Sequence, residues 1–447
     1  MTRPILYLTI LLTLLLTACL PVETQSPLVT LTPLSSSPAP VQSPFSTPIA
    51  VATPTFSAPT ETLKPTAQPT TESQPYAYLD TLEMFDAMAG WGTMLVEVDG
   101  ESMVRPPLIV RTSDGGEHWQ LASPPRERLH SEAVVVWTPF FLDADHAWVA
   151  MLVEDTEQGR SALLWRTTDG GQNWESIRLP DFWYPDEGLN LAFADAQHGW
   201  IMHSGDVGMG HTSVAIFATM DGGQSWQEVT QTRVNSDPGP TQLPTGCYKQ
   251  GLRFRDASTG WVSGPCAWAG FLLAVTHDGG RSWQLEDLPW PADMIALEET
   301  ERCEPHPPVF SSPQDGVVTI ECEANATGRF LLFYRTRDGG HKWDYSGQAP
   351  RPGHDPVFFA DADNVWYLSY DETNARHLSV THDSGQTWAE IAPDMDWEEL
   401  LLLDVANPGF GWAGHYGDEA FSLLKTEDGG LTWRPLLTEL PVIGLGH

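Results

Sequence analysis

The stretch RTSDGGEHWQ at 111–120 sets an aspartate beside two glycines and ahead of an indole. Asp114 in such a loop could ligate a calcium ion or offer a carboxylate to a reaction. The phrase then returns six more times, with aspartates at Asp169, Asp221, Asp278, Asp338, Asp383 and Asp428. A tryptophan follows each by five residues (Trp119, Trp174, Trp226, Trp283, Trp343, Trp388, Trp433), and a threonine precedes each by two. One active site needs one constellation, so seven identical phrases cannot all be catalytic. An aspartate at the head of a hairpin accepts hydrogen bonds from backbone N–H groups two or so residues on, while glycines supply angles that other residues resist. All seven aspartates are therefore expected to clasp turns, and the repeat has to be understood before any single residue.

A second phrase lies upstream of each copy, clearest in FLDADHAW (141–148), FADAQHGW (193–200), FRDASTGW (254–261) and FADADNVW (359–366). Weaker forms end at Trp91, Val317 and Trp412. Apolar residues before it and the tryptophan after it fit two short strands joined by a polar turn that begins at Asp or Asn. A third strand leads into the threonine and a fourth begins at the second tryptophan. Internal similarity at this period marks units that cannot bury their apolar faces alone. Four strands in each of seven units predict an all-β fold, a seven-bladed β-propeller of four-stranded antiparallel blades over residues 77–447.

The T-x-D-G-G-x-x-W pattern resembles the Asp-box, or bacterial neuraminidase repeat, of sialidases, sortilin-type receptors, some endoglucanases and photosystem II assembly factors. With the upstream GW phrase in a single exported propeller, residues 78–440 look most like the photosystem II assembly and stability factor group. The resemblance implies the propeller fold and an assembly-factor role.

Seven of the 19 tryptophans belong to the Asp phrase and six to the upstream phrase, leaving Trp137, Trp165, Trp183, Trp268, Trp290 and Trp397. Trp183, Trp290 and Trp397 fall in connections between blades, and Trp268 in a loop between second and third strands; both kinds of loop emerge opposite the Asp-boxes. Acids accompany them in DFWYPDE (181–187) and PDMDWEEL (393–400). Aromatics beside acids can form a sugar or peptide groove, or cap the apolar edges of blades. The expected ligand-binding residues are Trp183, Tyr184, Trp290, Trp397, Asp186 and Glu187. The partner is expected to be a protein or carbohydrate, with no chemistry, metal or cofactor of the chain's own. The alternative is a sialidase-like or endoglucanase-like glycoside hydrolase using Asp181, Asp186, Glu187, Asp394, Asp396, Glu398 or Glu399. Against a sialidase, Arg105-Pro106-Pro107 lacks the isoleucine of the R-I-P triplet. His203 and His211, around Asp206, are read as loop residues and not as metal ligands.

The first residues, MTRPILYLTILLTLLLTAC, have the layout of an export signal over 1–18, and LTAC at 16–19 resembles a lipobox in which Cys19 carries the lipid. From Leu20 to about Pro75 the chain is rich in Pro, Ser and Thr, so 19–76 is expected to be a disordered tether reaching on the order of 100 Å at ~3.1 Å per residue. The formal charge of −36 argues against nucleic acid and anionic membrane surfaces as partners, leaving the lipid as the membrane contact. The expected product is a monomer exported to the outer face of a bacterial membrane. Cys247 and Cys266 are nineteen apart, as are Cys303 and Cys322, and each pair brackets the same part of successive repeats. This predicts two equivalent disulfides in an oxidising compartment.

Overall fold

Seven antiparallel sheets of four strands follow one another along the chain, two of them, the first and the fifth, with an added two-residue strand at Glu101–Ser102 and Val309–Phe310. The computed structural model describes residues 76–440 except 99–100, 103–105, 126–133, 156–158, 181–187, 209, 235, 268–269, 293, 296–299, 301, 325–327, 351–356, 371–374, 392–399, 417–420 and 438–439. The expected signal segment, Cys19 and the tether before residue 76 lie outside the described residues. Among the described residues every regular element is a strand.

Blade 3 shows how the two phrases set the boundaries. Its strands are Leu189–Phe193, Gly199–Gly208, His211–Thr219 and Gln227–Thr232. The first strand stops at the phenylalanine of the upstream phrase and the second starts one residue before its tryptophan. In all seven blades the third strand ends on the Asp-box threonine: Thr112, Thr167, Thr219, Thr276, Thr336, Thr381 and Thr426. The fourth strand starts on the residue after the box tryptophan, one place later than expected, because the indole itself turns back into the blade junction.

The first strands of blades 1, 2, 3, 4, 6 and 7 are Tyr76–Met84, Val134–Phe141, Leu189–Phe193, Gly251–Phe254, Val357–Phe359 and Leu400–Asn407. First strands of neighbouring blades touch one another, as Tyr76–Met84 touches Leu400–Asn407, so they form the inner edge of the ring. The short fourth strands Gln120–Leu121 and Gln284–Leu285 are exposed at the outside. In blade 5 the inner strand is split into Arg302–Pro305 and Val309–Phe310, both paired to Gly316–Ala324. Pro307 and Pro308 fall in the gap, where a residue without N–H cannot extend the ladder.

The aromatic residues of the upstream phrase join one blade to the next. Trp148 of blade 2 stacks on Phe193 of blade 3 with centroids 3.7 Å apart, and Trp200 of blade 3 stacks on Phe254 of blade 4 at 3.5 Å. In blades 3, 4 and 5 the box tryptophan then meets the phenylalanine edge-on, Trp226 against Phe193, Trp283 against Phe254 and Trp343 against Phe310. The indole N–H of Trp148 donates to Gly222 O at 2.9 Å and that of Trp200 to Gly279 O at 3.0 Å, in each case the first box glycine of the next blade. The ring closes by the same bond, Trp412 Nε1 of blade 7 donating to Gly115 O of blade 1 at 2.8 Å. No strand is exchanged between the ends of the described chain: blade 1 is built wholly from 76–121 and blade 7 wholly from 400–437. Closure therefore rests on side-chain packing, with Leu79, Met94, Trp119, Leu402, Trp412 and Phe421 in one buried cluster.

Both expected disulfides are present, Cys247–Cys266 and Cys303–Cys322. Cys303 and Cys322 sit directly opposite in the ladder, whereas Cys247 precedes the first strand of blade 4 in a left-handed conformation at φ 63°. The two bonds suggest an oxidising environment. No helix among the described residues is long and apolar enough to cross a membrane.

Candidate functional site

The Asp-box carboxylates are fully engaged in their own turns. In each box the threonine hydroxyl donates to the aspartate and accepts the N–H of the second glycine; in blade 3 these bonds are 2.7 Å from Thr219 to Asp221 and 2.9 Å from Gly223 N. The N–H that reaches the carboxylate comes from four residues on, not two: Ser225 N donates to Asp221 Oδ1 at 2.9 Å, and the Ser225 hydroxyl donates to Oδ2 at 2.5 Å. The two glycines hold positive φ, 72° and 97° in blade 3, so the turn is wider than a simple Asx clasp. In blade 6 Ser384 takes the first of these positions at φ 57° and bonds Ala362 O at 2.6 Å. The two-residue clasp occurs instead in the upstream phrase, where Asp195 Oδ1 accepts Gln197 N at 2.8 Å and His198 N at 2.9 Å.

Electrostatics follow these bonds. Burial alone would push the Asp221 carboxyl up, but the donors from Ser225 and Thr219 outweigh it and hold it at about 2. Asp114, Asp169, Asp278, Asp338, Asp383 and Asp428 also lie below the ordinary carboxylate range, hydrogen bonds again prevailing over burial. Such carboxylates are poor proton carriers at neutral pH. No group of three or more His, Cys, Asp or Glu side chains among the described residues is placed to hold a metal ion. His203 is buried on the second strand of blade 3 and His211 is exposed at the start of the third, so they do not form a pair.

Of the expected ligand-binding residues, Trp183, Tyr184, Asp186, Glu187 and Trp397 lie outside the described residues, as do Trp268, Asp181, Asp394, Asp396, Glu398 and Glu399. Trp290 is described: it is half-buried against the cluster between blades 4 and 5, and its indole N–H donates to Ile295 O at 2.9 Å. Trp165 is buried and Trp137 partly so, both in the cluster between blades 1 and 2.

A second constellation was not singled out from the sequence. A cavity of about 480 Å³ is walled by the inner strands of blades 1 to 5, which places it on the propeller axis. Its lining residues sit where those strands enter the first turns. In an antiparallel blade this is also the end that carries the third-to-fourth turns, so the cavity opens among the Asp-boxes. Phe85, Phe140, Phe141, Phe193, Phe254 and Phe310 are among its lining residues, but its open surface is more polar than apolar; the charged members are Glu83, Arg253 and Arg255.

Glu83, Arg253 and Asp404 occupy one register position, the residue just before the phenylalanine position of the upstream phrase, in blades 1, 4 and 7. Blade 4 stands opposite the junction of blades 7 and 1, so the guanidinium faces the two acids across the ring. Water in the channel reaches Glu83, but protein surrounds it; burial first, and the Asp404 charge second, push its carboxyl up to about 7, against the pull of Arg253. Burial likewise raises Asp404 to about 6, although its Oδ2 accepts Met84 N at 2.7 Å across the ring closure. Arg255 is tied to Asp256 at 2.7 Å and to Thr259 at 3.2 Å. Among the described residues Arg253 makes no hydrogen bond or ion pair, and burial pulls its guanidinium down while Glu83 opposes this. The available signal was a charge at a position otherwise held by Phe140, Ala192, Val309 and Phe358.

No family model and no curated protein matches the chain. Solved structures do match. Prolyl oligopeptidase B from Galerina marginata superposes with a TM-score of 0.52 at 11% identity, covering 82% of this chain and 52% of that one. A structure described as YCF48 bound to D1 peptide matches at 20% identity and TM-score 0.39, covering 68% of this chain and 82% of that one. The GH74 xyloglucanase from Xanthomonas campestris matches at 14% identity and TM-score 0.48, covering 82% and 55%. The chain thus spans about half the length of the oligopeptidase and the xyloglucanase, and the likeness is one of fold.

Proposed function

We propose that this chain is an exported, lipid-anchored binding propeller. Residues 1–18 direct export, Cys19 carries the lipid, the segment to residue 76 is the tether, and the propeller from 77 presents a surface to a protein or glycan. The observation that carries this reading is the use of all seven box aspartates in backbone clasps, which assigns the most chemistry-like residues of the sequence to holding turns. What varies between units is then the set of connections at 122–133, 179–188, 233–250, 286–301, 349–356 and 392–399, and variable loops on a rigid scaffold are where recognition usually resides. Trp183, Tyr184, Trp290 and Trp397, with Asp186 and Glu187, are the proposed contacts. Truncation of a large aromatic at an interface centre typically weakens binding by ~2 kcal/mol or more.

Crosslinking and pull-down of the full-length lipoprotein identify the partner, and the double variant Trp183→Ala with Trp397→Ala tests the face. The variant should fold and localise normally and capture the partner poorly. Undiminished capture by it, together with loss of capture on changing the Asp-box rim, refutes the assignment.

A further inference from the structure

The two disulfides sit in unlike surroundings. Cys303 and Cys322 are 0% and 1% exposed, in the cluster between blades 4 and 5, and stand opposite one another inside a β-ladder. Cys247 and Cys266 are both partly exposed, and neither lies in a strand: Cys247 comes before Gly251–Phe254 and Cys266 just after Gly260–Pro265. The backbone at Cys247 is held at φ 63°, a conformation that residues other than glycine, asparagine and aspartate seldom adopt. Opening this bond releases a strained residue; opening the other breaks into a packed sheet.

Three loops of blades 3 and 4 meet at Cys247–Cys266. The 233–250 connection supplies Cys247, and the loop after Gly260–Pro265 supplies Cys266. The hairpin end at Gly208–His211 bears on both: His211 bridges to Gly246, Thr212 N donates to Thr245 O at 3.3 Å, and a side chain at Gly210 would overlap Ala267. All three loops emerge at the end of the propeller opposite the Asp-boxes. Beneath them Lys249 is buried, its ammonium donating to Cys247 O and Gly246 O at 2.9 Å and to Thr245 O at 3.1 Å. A lysine beside a cysteine favours its thiolate form.

We propose that Cys247–Cys266 is a thiol-exchange site, opened by an external dithiol while Cys303–Cys322 stays closed, and that its opening frees the junction of these three loops. One thiolate of the reagent attacks Cys266 Sγ, the S–S bond breaks, and Cys247 leaves as the thiolate beside Lys249. The second thiol of the reagent then displaces Cys266, so the reagent ends as a cyclic disulfide and the protein gains two electrons and two protons as two thiols. Exchange needs access to the attacked sulfur, which the buried Cys303–Cys322 pair lacks.

The blade itself does not depend on this bond. Tyr248 N donates to Pro265 O at 2.9 Å and Gln250 N to Ser263 O at 3.0 Å, while Trp283 N donates to Thr241 O at 2.8 Å and Leu243 is buried, so the connection is pinned on either side of Cys247. The freed segment is therefore short. The inference concerns thiols and backbone amides and does not rest on which partner these loops meet.

The test treats the folded full-length chain with graded dithiothreitol or with glutathione, caps free thiols with N-ethylmaleimide and maps the peptides by mass spectrometry. Cys247 and Cys266 should be capped about tenfold faster, or more, than Cys303 and Cys322, because access governs the rate. With glutathione, which has one thiol, the mixed disulfide should sit on Cys266 and the cap on Cys247. Hydrogen exchange of the selectively reduced chain should quicken at Thr212 and across 244–250 and stay unchanged over Phe271–Thr276. Equal rates at the two disulfides, earlier opening of Cys303–Cys322, no opening without denaturant, a glutathione adduct on Cys247, or unchanged exchange at 244–250 after reduction each overturns the proposal.

Discussion

Replacing Asp221 by alanine removes a carboxylate that accepts from the Thr219 hydroxyl at 2.7 Å, Ser225 N at 2.9 Å and the Ser225 hydroxyl at 2.5 Å. The carboxyl is held at about 2 against an ordinary 3.8, and at about 1.4 kcal/mol per unit this sets a ceiling of roughly 2.4 kcal/mol. The turn is at the surface, where solvent screening leaves about 1 kcal/mol of that. A chain this long unfolds with a large entropy, so such a loss lowers the melting temperature by only about 1–2 °C. The sign with pH is definite. A depressed folded-state value means the stabilisation is complete above 3.8 and is lost as pH falls through about 2. Melting curves of Asp221→Ala and the unaltered chain should thus differ at pH 7 and pH 5 and converge toward pH 2, with partner capture by the folded fraction unchanged at neutral pH. An equal difference at pH 7 and pH 2 refutes the ionic clasp, and an unchanged melting temperature with lost capture refutes its structural role.

Three further outcomes are expected. Trp412→Ala, at the ring closure, should destabilise by about 3–5 kcal/mol, as Trp200→Ala should at an internal junction, because both indoles are buried and bond the first box glycine of the next blade in the same way; denaturant melts showing Trp412→Ala to be near neutral contradict closure by packing. Lys249 is buried and its ammonium donates to Gly246 O and Cys247 O at 2.9 Å, Thr245 O at 3.1 Å and Thr212 O at 3.3 Å, so Lys249→Met should cost about 2–3 kcal/mol through the carbonyls left unpaired, read as a lower denaturant midpoint. Because Glu83 is raised to about 7 from 4.5, its contribution turns unfavourable as pH rises through that window; Glu83→Gln should be about 1 kcal/mol more stable than the unaltered chain at pH 8, after allowance for the water in the channel, and no different at pH 4.

The number of blades, the ends of the third strands and both disulfides were legible in the sequence because each depends on a short local pattern. A threonine two before an aspartate ends a strand wherever it occurs, since its hydroxyl bridges the aspartate and a glycine N–H within the same turn. The phenylalanine and tryptophan of the upstream phrase could be placed on strands for the same reason. Their pairing could not: Trp148 finds Phe193 only when one sheet packs on the next, and the indole of Trp412 finds Gly115 only when the ring is complete. The axial cavity is of this second kind. Glu83, Arg253 and Asp404 are hundreds of residues apart at their extremes and share nothing but a register position; it is the seven-fold closure of the ring that sets one cation opposite two acids and surrounds them with protein, although Glu83 and Arg253 remain open to the water of the channel.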